Sequence, residues 1–169
     1  PLAKRSKIEA AGARIVLAAS DHFDDADAEA RELAERTGCL FLSAYDDVHV
    51  VAGNGASLAF EIARAFGGVP DAVVAPFGGG GLATGLAVGL AHAAGVSPRE
   101  APRVRGRVFG VQTEASPSFV LSLERGEAVE RFIPSMETFA EGLEGGIARR
   151  AFERARAVVS GVAVVGETA

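Results

Sequence analysis

The sequence predicts an α/β fold that is built around a parallel β-sheet. Segments with helical periodicity alternate with short apolar runs rich in β-branched residues, a pattern typical of strands joined by helices. The run at 71–76 is apolar throughout, as strands buried on both faces of a parallel sheet usually are. A glycine-rich turn leads from this run directly into a helical segment, which completes a strand–turn–helix unit.

The first part of the chain predicts two helices and two strands. Gly12 and Gly38 each follow a segment with helical periodicity, and glycine commonly ends a helix. The carboxylates of Asp21–Asp25 precede the second helix and are suited to cap its N-terminus. The predicted elements are a helix at 2–11, a strand at 14–18, a helix from 26 to 38 and a strand at 39–43.

A break in periodicity at 44–49 predicts a crossing between two domains. We expect residues 1–43 to form the back half of a small domain and 44–169 to form the major part of a larger one. Because the chain starts at Pro1 within a predicted helix, we expect it to be incomplete at both ends, with sheet edges or apolar faces left uncovered. The elements predicted after the break are helices at 55–66, 81–94, 117–125 and 147–158 and strands at 71–76, 107–113 and 162–165.

Composition argues against several classes of function. The net charge is −5, no cluster of Lys and Arg is present, and aromatic residues make up 7%, so nucleic-acid binding is not expected. Charges, glycine or proline interrupt every apolar stretch before the ~18 residues that a membrane-spanning helix needs. The single cysteine, Cys39, excludes an internal disulfide and a cysteine-rich zinc site.

The sharpest motif is a run of four glycines, Gly78–Gly81, here called the glycine loop, between a predicted strand and a predicted helix. Glycines leave backbone N–H groups unshielded, and the N-terminal end of a helix attracts anions, so the motif predicts a phosphate-binding loop. A flexible turn and close helix–strand packing are the alternatives without a ligand.

A dinucleotide site is a further alternative, since the run from Gly78 to Ala83 satisfies a loose G-x-G-x-x-A pattern. That site also needs an acidic residue about 20 residues later, at the end of the next strand. Here that strand ends near Glu114, more than thirty residues on.

Further motifs accompany the glycine loop along the whole chain. They are Pro1-x-x-Lys4-x-x-x-Ile8, Gly12-Ala13, Asp46-Asp47, Val51-Ala52-Gly53-Asn54-Gly55, Glu61-Ile62, the run Asp71–Leu82, Val108-Phe109-Gly110-Val111, Pro117-Ser118 and Glu141-Gly142. In this order they resemble the pyridoxal-5′-phosphate (PLP) enzymes of fold type II, in the branch of threonine dehydratase and serine racemase. The four consecutive glycines point to that branch rather than to the cysteine synthases.

The resemblance implies the three-layer, parallel-sheet fold of the tryptophan synthase β type, with PLP as cofactor. The residues expected to hold the cofactor are Gly78, Gly79, Gly80, Gly81, Leu82 and Gly142. The first five would hold the phosphate through backbone N–H groups, and Gly142 would lie at the edge of the pyridine ring.

The implied activity of the intact protein is the conversion of threonine or serine to a 2-oxo acid and ammonia. Racemisation of serine is the alternative within the family, and a non-catalytic domain that binds phosphate or a nucleotide is the alternative outside it. The resemblance further implies a cytoplasmic homo-oligomer, a dimer or tetramer, that acts on a small amino acid, as in isoleucine biosynthesis.

Some residues typical of the family are absent from this sequence or replaced by others. The Schiff-base lysine of the family lies upstream, and the only lysines here, Lys4 and Lys7, are expected to face solvent. We therefore assign no catalytic residue and expect the chain alone to be inactive. Cation-dependent relatives carry a glutamate and an aspartate where Gln112 and Ser118 stand here. Because a neutral pair is a poor ligand set for a hard divalent cation, no metal site is expected.

Overall fold

The structure is a computed structural model that describes residues 2–103 and 106–168. It divides into two compact units, Pro1–Cys39 and Leu40–Ala169. The first unit contains two helices, and the second contains a sheet and the remaining helices. The predicted assignment to a small and a large domain, with a boundary after residue 43, stays a prediction.

Helices α1 (Leu2–Ala10) and α2 (Phe23–Thr37) form the first unit. The glycines predicted to end them are confirmed, because Gly12 has a φ of 81° and Gly38 a φ of 69°. Glycine adopts such left-handed values at little steric cost. At the end of α2 the N–H of Gly38 donates to the carbonyl of Ala34, which closes the helix.

The start of α2 differs from the predicted cap. The residue at the N-cap position is His22, and its side chain makes no cap hydrogen bond. Asp24 and Asp25 lie inside the first turn instead, where a negative charge favours the positive end of the helix dipole. The carboxylates of Asp24 and Asp25 therefore belong to the helix, and that of Asp21 precedes it.

The two strands predicted at 14–18 and 39–43 are wrong. Among the described residues neither run belongs to a β-sheet, and Val16 and Leu17 are 61% and 63% exposed. A β-branched sequence becomes a strand only where a neighbouring strand accepts its hydrogen bonds and other residues pack on its side chains. Among the described residues no strand pairs with the run at 14–18 in the first unit or with residues 40–43 in the second.

Three parallel strands form the sheet of the second unit, namely β1 (Ala72–Pro76), β2 (Arg107–Thr113) and β3 (Gly161–Val165). Their order is β1-β2-β3, so the central strand is β2. Val74 pairs with Phe109, which in turn pairs with the first residue of β3. The predicted α/β class, the parallel sheet and these three strands are confirmed.

Helices pack on the sheet around an aromatic centre. Phe119 lies between Phe77 and Phe152, with ring centroids 4.4 Å and 5.7 Å away, and all three side chains are buried. Leu86 and Leu90 extend this core along the central helix. The α-helices of the second unit are α3 (Val48–Val51), α4 (Ser57–Ala65), α5 (Gly81–Ala93), α6 (Ser118–Arg125) and α7 (Arg149–Val158), with 3-10 turns at Pro98–Arg103 and Glu141–Leu143.

The predicted uncovered apolar surface is confirmed on the outer strands. Val74 of β1 is 68% exposed, and Val164 and Val165 of β3 are 43% and 41% exposed. Within the described residues each outer strand pairs on one side only. Parallel sheets normally have both faces covered, and here these valines leave apolar surface of the sheet exposed.

The helix predicted from residue 55 begins earlier. Asp47 caps α3, since its Oδ1 accepts from the N–H groups of His49 (2.8 Å) and Val50 (3.2 Å). A π-helical segment, Ala52–Ala56, then joins α3 to α4 without a break. Sequence reasoning missed this start because the two glycines of the π-helical segment are typical of a loop.

Candidate functional site

The glycine loop lies between the sheet and the N-terminus of α5. Phe77 follows β1 and donates its N–H to the carbonyl of Val111 (2.8 Å), which extends the strand pairing by one residue. Gly80 has a φ of 83° and occupies the N-cap position of α5. The N–H of Thr84 makes the first hydrogen bond of the helix, to the carbonyl of Gly80 (3.0 Å). The loop is therefore a tight turn from strand into helix.

The N–H groups at the start of α5 are left without protein partners. In the part of the chain that the structure describes, those of residues 78–83 donate to no protein acceptor. Gly80, Gly81 and Ala83 are buried. Buried backbone donors are paired in more than about 90% of cases. Unpaired donors at the positive end of a helix dipole form a site for an anion.

The glycine loop is closely packed on its Cα side. At each glycine a Cβ would meet a neighbouring group closely enough to force it to move. The groups are the carbonyl oxygen of Gly142 for Gly78 (3.2 Å), the ring of Tyr45 for Gly79, the Cζ of Phe77 for Gly80 (2.9 Å) and the carbonyl oxygen of Tyr45 for Gly81 (2.8 Å). Close packing therefore demands glycine, and the loop's donors are fixed in place.

Tyr45 is a site residue that sequence reasoning missed. Its ring lies against Gly79 and its backbone lies against Gly81, so it contacts two of the four loop glycines. The turn that carries it is ordered by Ser43, whose Oγ accepts from the N–H groups of Asp46 (3.1 Å) and Tyr45 (3.5 Å). Only the proximity of an aromatic residue to a polar turn was visible in the sequence, and that signal is weak.

A stripe of glycines on α5 brings the preceding helices close to the loop. Gly81, Gly85 and Gly89 are spaced by four residues and so lie on one face of the helix. A Cβ at Gly85 would overlap the carbonyl oxygen of Val51, and one at Gly89 would come within 2.9 Å of the Cα of Ala56. The four-residue spacing is a sequence signal that could have predicted this close helix crossing.

Gly142 lies next to the glycine loop, and its role at the cofactor stays a prediction. Its carbonyl oxygen faces Gly78, and a Cβ added at Gly142 would meet nothing within 4 Å. Gly142 is exposed, so the space beside its Cα is open. Leu82 follows the loop in the first turn of α5 and is partly buried. Its carbonyl oxygen lies against Gly55, so Leu82 also belongs to the helix crossing.

Gln112 has a structural role at the end of β2. Its side chain is fully buried, and its Oε1 accepts from the N–H groups of Phe119 (3.1 Å) and Val120 (3.2 Å) in the first turn of α6. The neutral amide therefore satisfies donors that open the helix. The Nε2 of Gln112 and the Oγ of Ser118 are buried without a hydrogen-bond partner in the described structure.

The lysines and histidines considered from sequence are exposed. Lys4 and Lys7 are exposed in α1 of the first unit. His49 is exposed in α3, and His92 in α5 meets the ring of Phe60 edge-on at 5.8 Å. Residues 2–103 and 106–168 contain no group of three His, Cys, Asp or Glu side chains that could hold a metal ion. None of their helices combines the length and apolarity that crossing a membrane requires.

Comparison with known proteins gives a consistent result. The family described as "Pyridoxal-phosphate dependent enzyme" matches residues 1–169. The chain is similar to the L-threonine ammonia-lyase of Thermotoga maritima, with 38% identity over 143 residues, 85% of this chain and 32% of that protein. It is also similar to the chloroplastic biosynthetic threonine dehydratase of Arabidopsis thaliana, with 32% identity over 98% of this chain and 26% of that protein.

Solved structures share the fold. The processed form of threonine deaminase isoform 2 from Solanum lycopersicum matches with a TM-score of 0.77 and 28% identity, over 98% of this chain and 45% of that chain. Maize serine racemase matches with a TM-score of 0.79 and 19% identity, over 99% of this chain and 47% of that chain. This chain thus spans about a third or less of the two curated relatives and a little under half of these two solved chains.

Proposed function

Because the chain belongs to the pyridoxal-phosphate dependent enzyme family, we propose that the intact protein is a PLP-dependent threonine or serine dehydratase. In the overall reaction the α-hydrogen and the β-hydroxyl leave as one water, and a second water then displaces ammonia to give a 2-oxo acid. The observation that carries the proposal is the set of unpaired N–H donors of the glycine loop at the N-terminus of α5. Two relatives that are named for threonine, at 38% and 28% identity, support the choice of reaction.

The glycine loop fits the phosphate group of PLP. A phosphate offers several oxygen acceptors and negative charge, and the loop offers fixed N–H donors and the positive end of a helix dipole. We assign the backbone of Gly78–Gly81 and of Leu82 to the phosphate. We assign Gly142 to the ring edge, because its carbonyl oxygen is next to the loop and the space at its Cα is open.

When bound, PLP supplies an electron sink for the α-carbon of an amino acid. The residues of this chain bind and orient its phosphate. Tyr45, Phe77 and Gly142 hold the glycine loop from three sides, so its donors need little reorganisation on binding. The glycine stripe packs α5 against the helix that crosses it and so fixes the direction of the helix dipole. We assign no proton-transfer step to the described residues.

Racemisation of serine is the second candidate function. The TM-score of 0.79 with maize serine racemase favours it, but at 19% identity this likeness concerns the fold alone. The higher identity to threonine ammonia-lyase places dehydration first.

We further propose that the intact protein is a cytoplasmic homo-oligomer that serves amino-acid metabolism, with isoleucine biosynthesis as one setting. The exposed valines of β1 and β3 support an assembly that covers them. The single, unpaired cysteine fits a reducing compartment.

The test is a product assay on the intact protein with PLP and, separately, L-threonine and L-serine. Release of a 2-oxo acid with an equal amount of ammonia is the expected result. Formation of D-serine without 2-oxo acid would replace the proposal with racemisation. Absence of both products, in a protein that still binds phosphate, would favour the non-catalytic binding domain.

A further inference from the structure

An ion pair joins two distant segments of the second unit. The Nη2 of Arg154, in α7, donates to both the backbone carbonyl and the Oδ1 of Asp46, and the distance to the carbonyl is 2.6 Å. The Nε of Arg154 donates to the carbonyl of Arg150 (3.2 Å), which fixes the guanidinium on α7. Three acceptors thus hold one guanidinium, and two of them belong to Asp46.

This pair differs from two other ion pairs of the chain. Arg156–Glu153 and Arg31–Asp27 each join neighbouring turns of one helix, and the side chains of the first are 43% and 48% exposed. The side chains of Arg154 and Asp46 are only 30% and 16% exposed, and they are separated by 108 residues of sequence. An exposed pair within one helix stabilises little, whereas this pair ties the turn at 43–47 to α7.

The residue next to Asp46 is the one that covers the glycine loop. The ring of Tyr45 occupies the space in which a side chain at Gly79 would lie. Its Cα and carbonyl oxygen are 3.0 Å and 2.8 Å from the position of a Cβ on Gly81. Because Asp46 is bonded through its backbone carbonyl as well as its carboxylate, Arg154 restrains the main chain that carries Tyr45.

We infer that Arg154 and Asp46 are positioning residues for phosphate binding, which hold Tyr45 against the glycine loop so that the loop's N–H donors stay arranged for a phosphate. The inference rests on the proposed function, because it assumes that the loop binds the phosphate. Without the pair, the turn at 43–47 can move away from Gly79 and Gly81. The loop then gains conformations that must be lost again on binding, which lowers affinity.

The chain contains its own reporter for this arrangement. Tyr45 is the only tyrosine and there is no tryptophan, so the intrinsic emission of the 169-residue chain comes from the residue that covers the loop. Acrylamide quenching of this emission measures how accessible the Tyr45 ring is. Calorimetric titration with inorganic phosphate and with PLP measures binding at the loop.

The variants are Arg154→Met, which keeps the length of the side chain without its charge, Arg154→Lys and Asp46→Asn. Arg156→Met is the matched control, because it removes an arginine from the same helix. It breaks an exposed pair with Glu153 and a cation–π contact with the ring of Phe152 (5.2 Å), and neither contact involves Asp46. When two sites of a protein are coupled, a change at one typically alters the ligand affinity of the other by about 5–150-fold. For Arg154→Met we expect a loss of phosphate affinity of at least about fivefold together with stronger quenching of Tyr45. Arg154→Lys should restore part of both, Asp46→Asn should show a smaller loss, and Arg156→Met should match the parent.

The result separates the inference from the function on which it rests. If the parent binds phosphate, and Arg154→Met and Asp46→Asn bind it equally well with unchanged quenching, the positioning role is wrong and the phosphate site stands. If the parent binds neither phosphate nor PLP, the phosphate site itself is wrong, and the inference fails with it. A circular-dichroism melt of each variant ensures that folded chains are compared, and Asp46→Asn provides the milder change if Arg154→Met unfolds.

Discussion

Replacing Gly85 by alanine is expected to destabilise the protein, although alanine is the better helix former. Gly85 lies inside α5, and a Cβ there would overlap the carbonyl oxygen of Val51 and come within 2.7 Å of the Cα of Gly55. Both groups belong to the backbone of the helical segment that crosses α5. No rotamer change can therefore relieve the overlap, and the two helices must separate.

Two opposing effects set the magnitude. Replacing glycine by alanine within a helix stabilises it by roughly 0.5–1 kcal/mol. Overpacking a close contact typically costs about 1–3 kcal/mol, and the upper part of that range applies where backbone meets backbone. The net loss is then about 1–2 kcal/mol in the free energy of unfolding. For a chain of this size that loss lowers the melting temperature by roughly 2–8 °C.

The assay is thermal unfolding followed by circular dichroism, with Gly53→Ala as the matched control. Gly53 also lies in a helical segment, but a Cβ there meets nothing within 4 Å and its φ is not positive. Gly53→Ala should melt at or slightly above the temperature of the parent. If Gly85→Ala melts as high as the parent, the close crossing of α5 by the preceding helices is wrong.

Two further substitutions and one chemical experiment test other parts of the account. Gln112→Ala removes the acceptor of two N–H groups of α6, and each donor left unpaired costs roughly 1–3 kcal/mol, which denaturant unfolding measures. Ser118→Ala is its control, because the hydroxyl has no partner in the described structure, and equal losses for both variants would contradict the capping role. Borohydride reduction of the chain with PLP should label only Lys4, Lys7 and the terminal amine. Replacing both Lys4 and Lys7 by arginine should abolish the lysine label and leave phosphate affinity unchanged. A fall in phosphate affinity would show that a lysine takes part in binding.

The strand–loop–helix unit from Ala72 to Ala93 could be predicted from sequence because its determinants are local. A continuous apolar run, four glycines and a helical apolar pattern follow one another within this short segment. The runs at 14–18 and 39–43 are also largely apolar, and they are not strands among the described residues. Strand formation depends on a partner elsewhere in the chain, and a local pattern carries no information about that partner.

The covering of the glycine loop could not be predicted because it depends on contacts distant in sequence. Tyr45 lies 34 residues before Gly79, and Arg154 lies 108 residues after Asp46. Gln112 illustrates the same limit. Its neutral side chain argued against a cation, but only the structure showed that its oxygen accepts two hydrogen bonds from α6.

The central claim is that the glycine loop binds the phosphate of the cofactor, and phosphate affinity of the folded chain tests it most directly. Calorimetric titration with inorganic phosphate and PLP compares the parent with Gly79→Val, Gly80→Val and Leu82→Ala. A valine at Gly80 must adopt a φ of 83° and meet the ring of Phe77, and one at Gly79 must displace the ring of Tyr45. We predict saturable binding by the parent and by Leu82→Ala, which keeps its backbone donor, and no detectable binding by either valine variant. Valine variants that stay folded by circular dichroism and bind phosphate as tightly as the parent would contradict the claim.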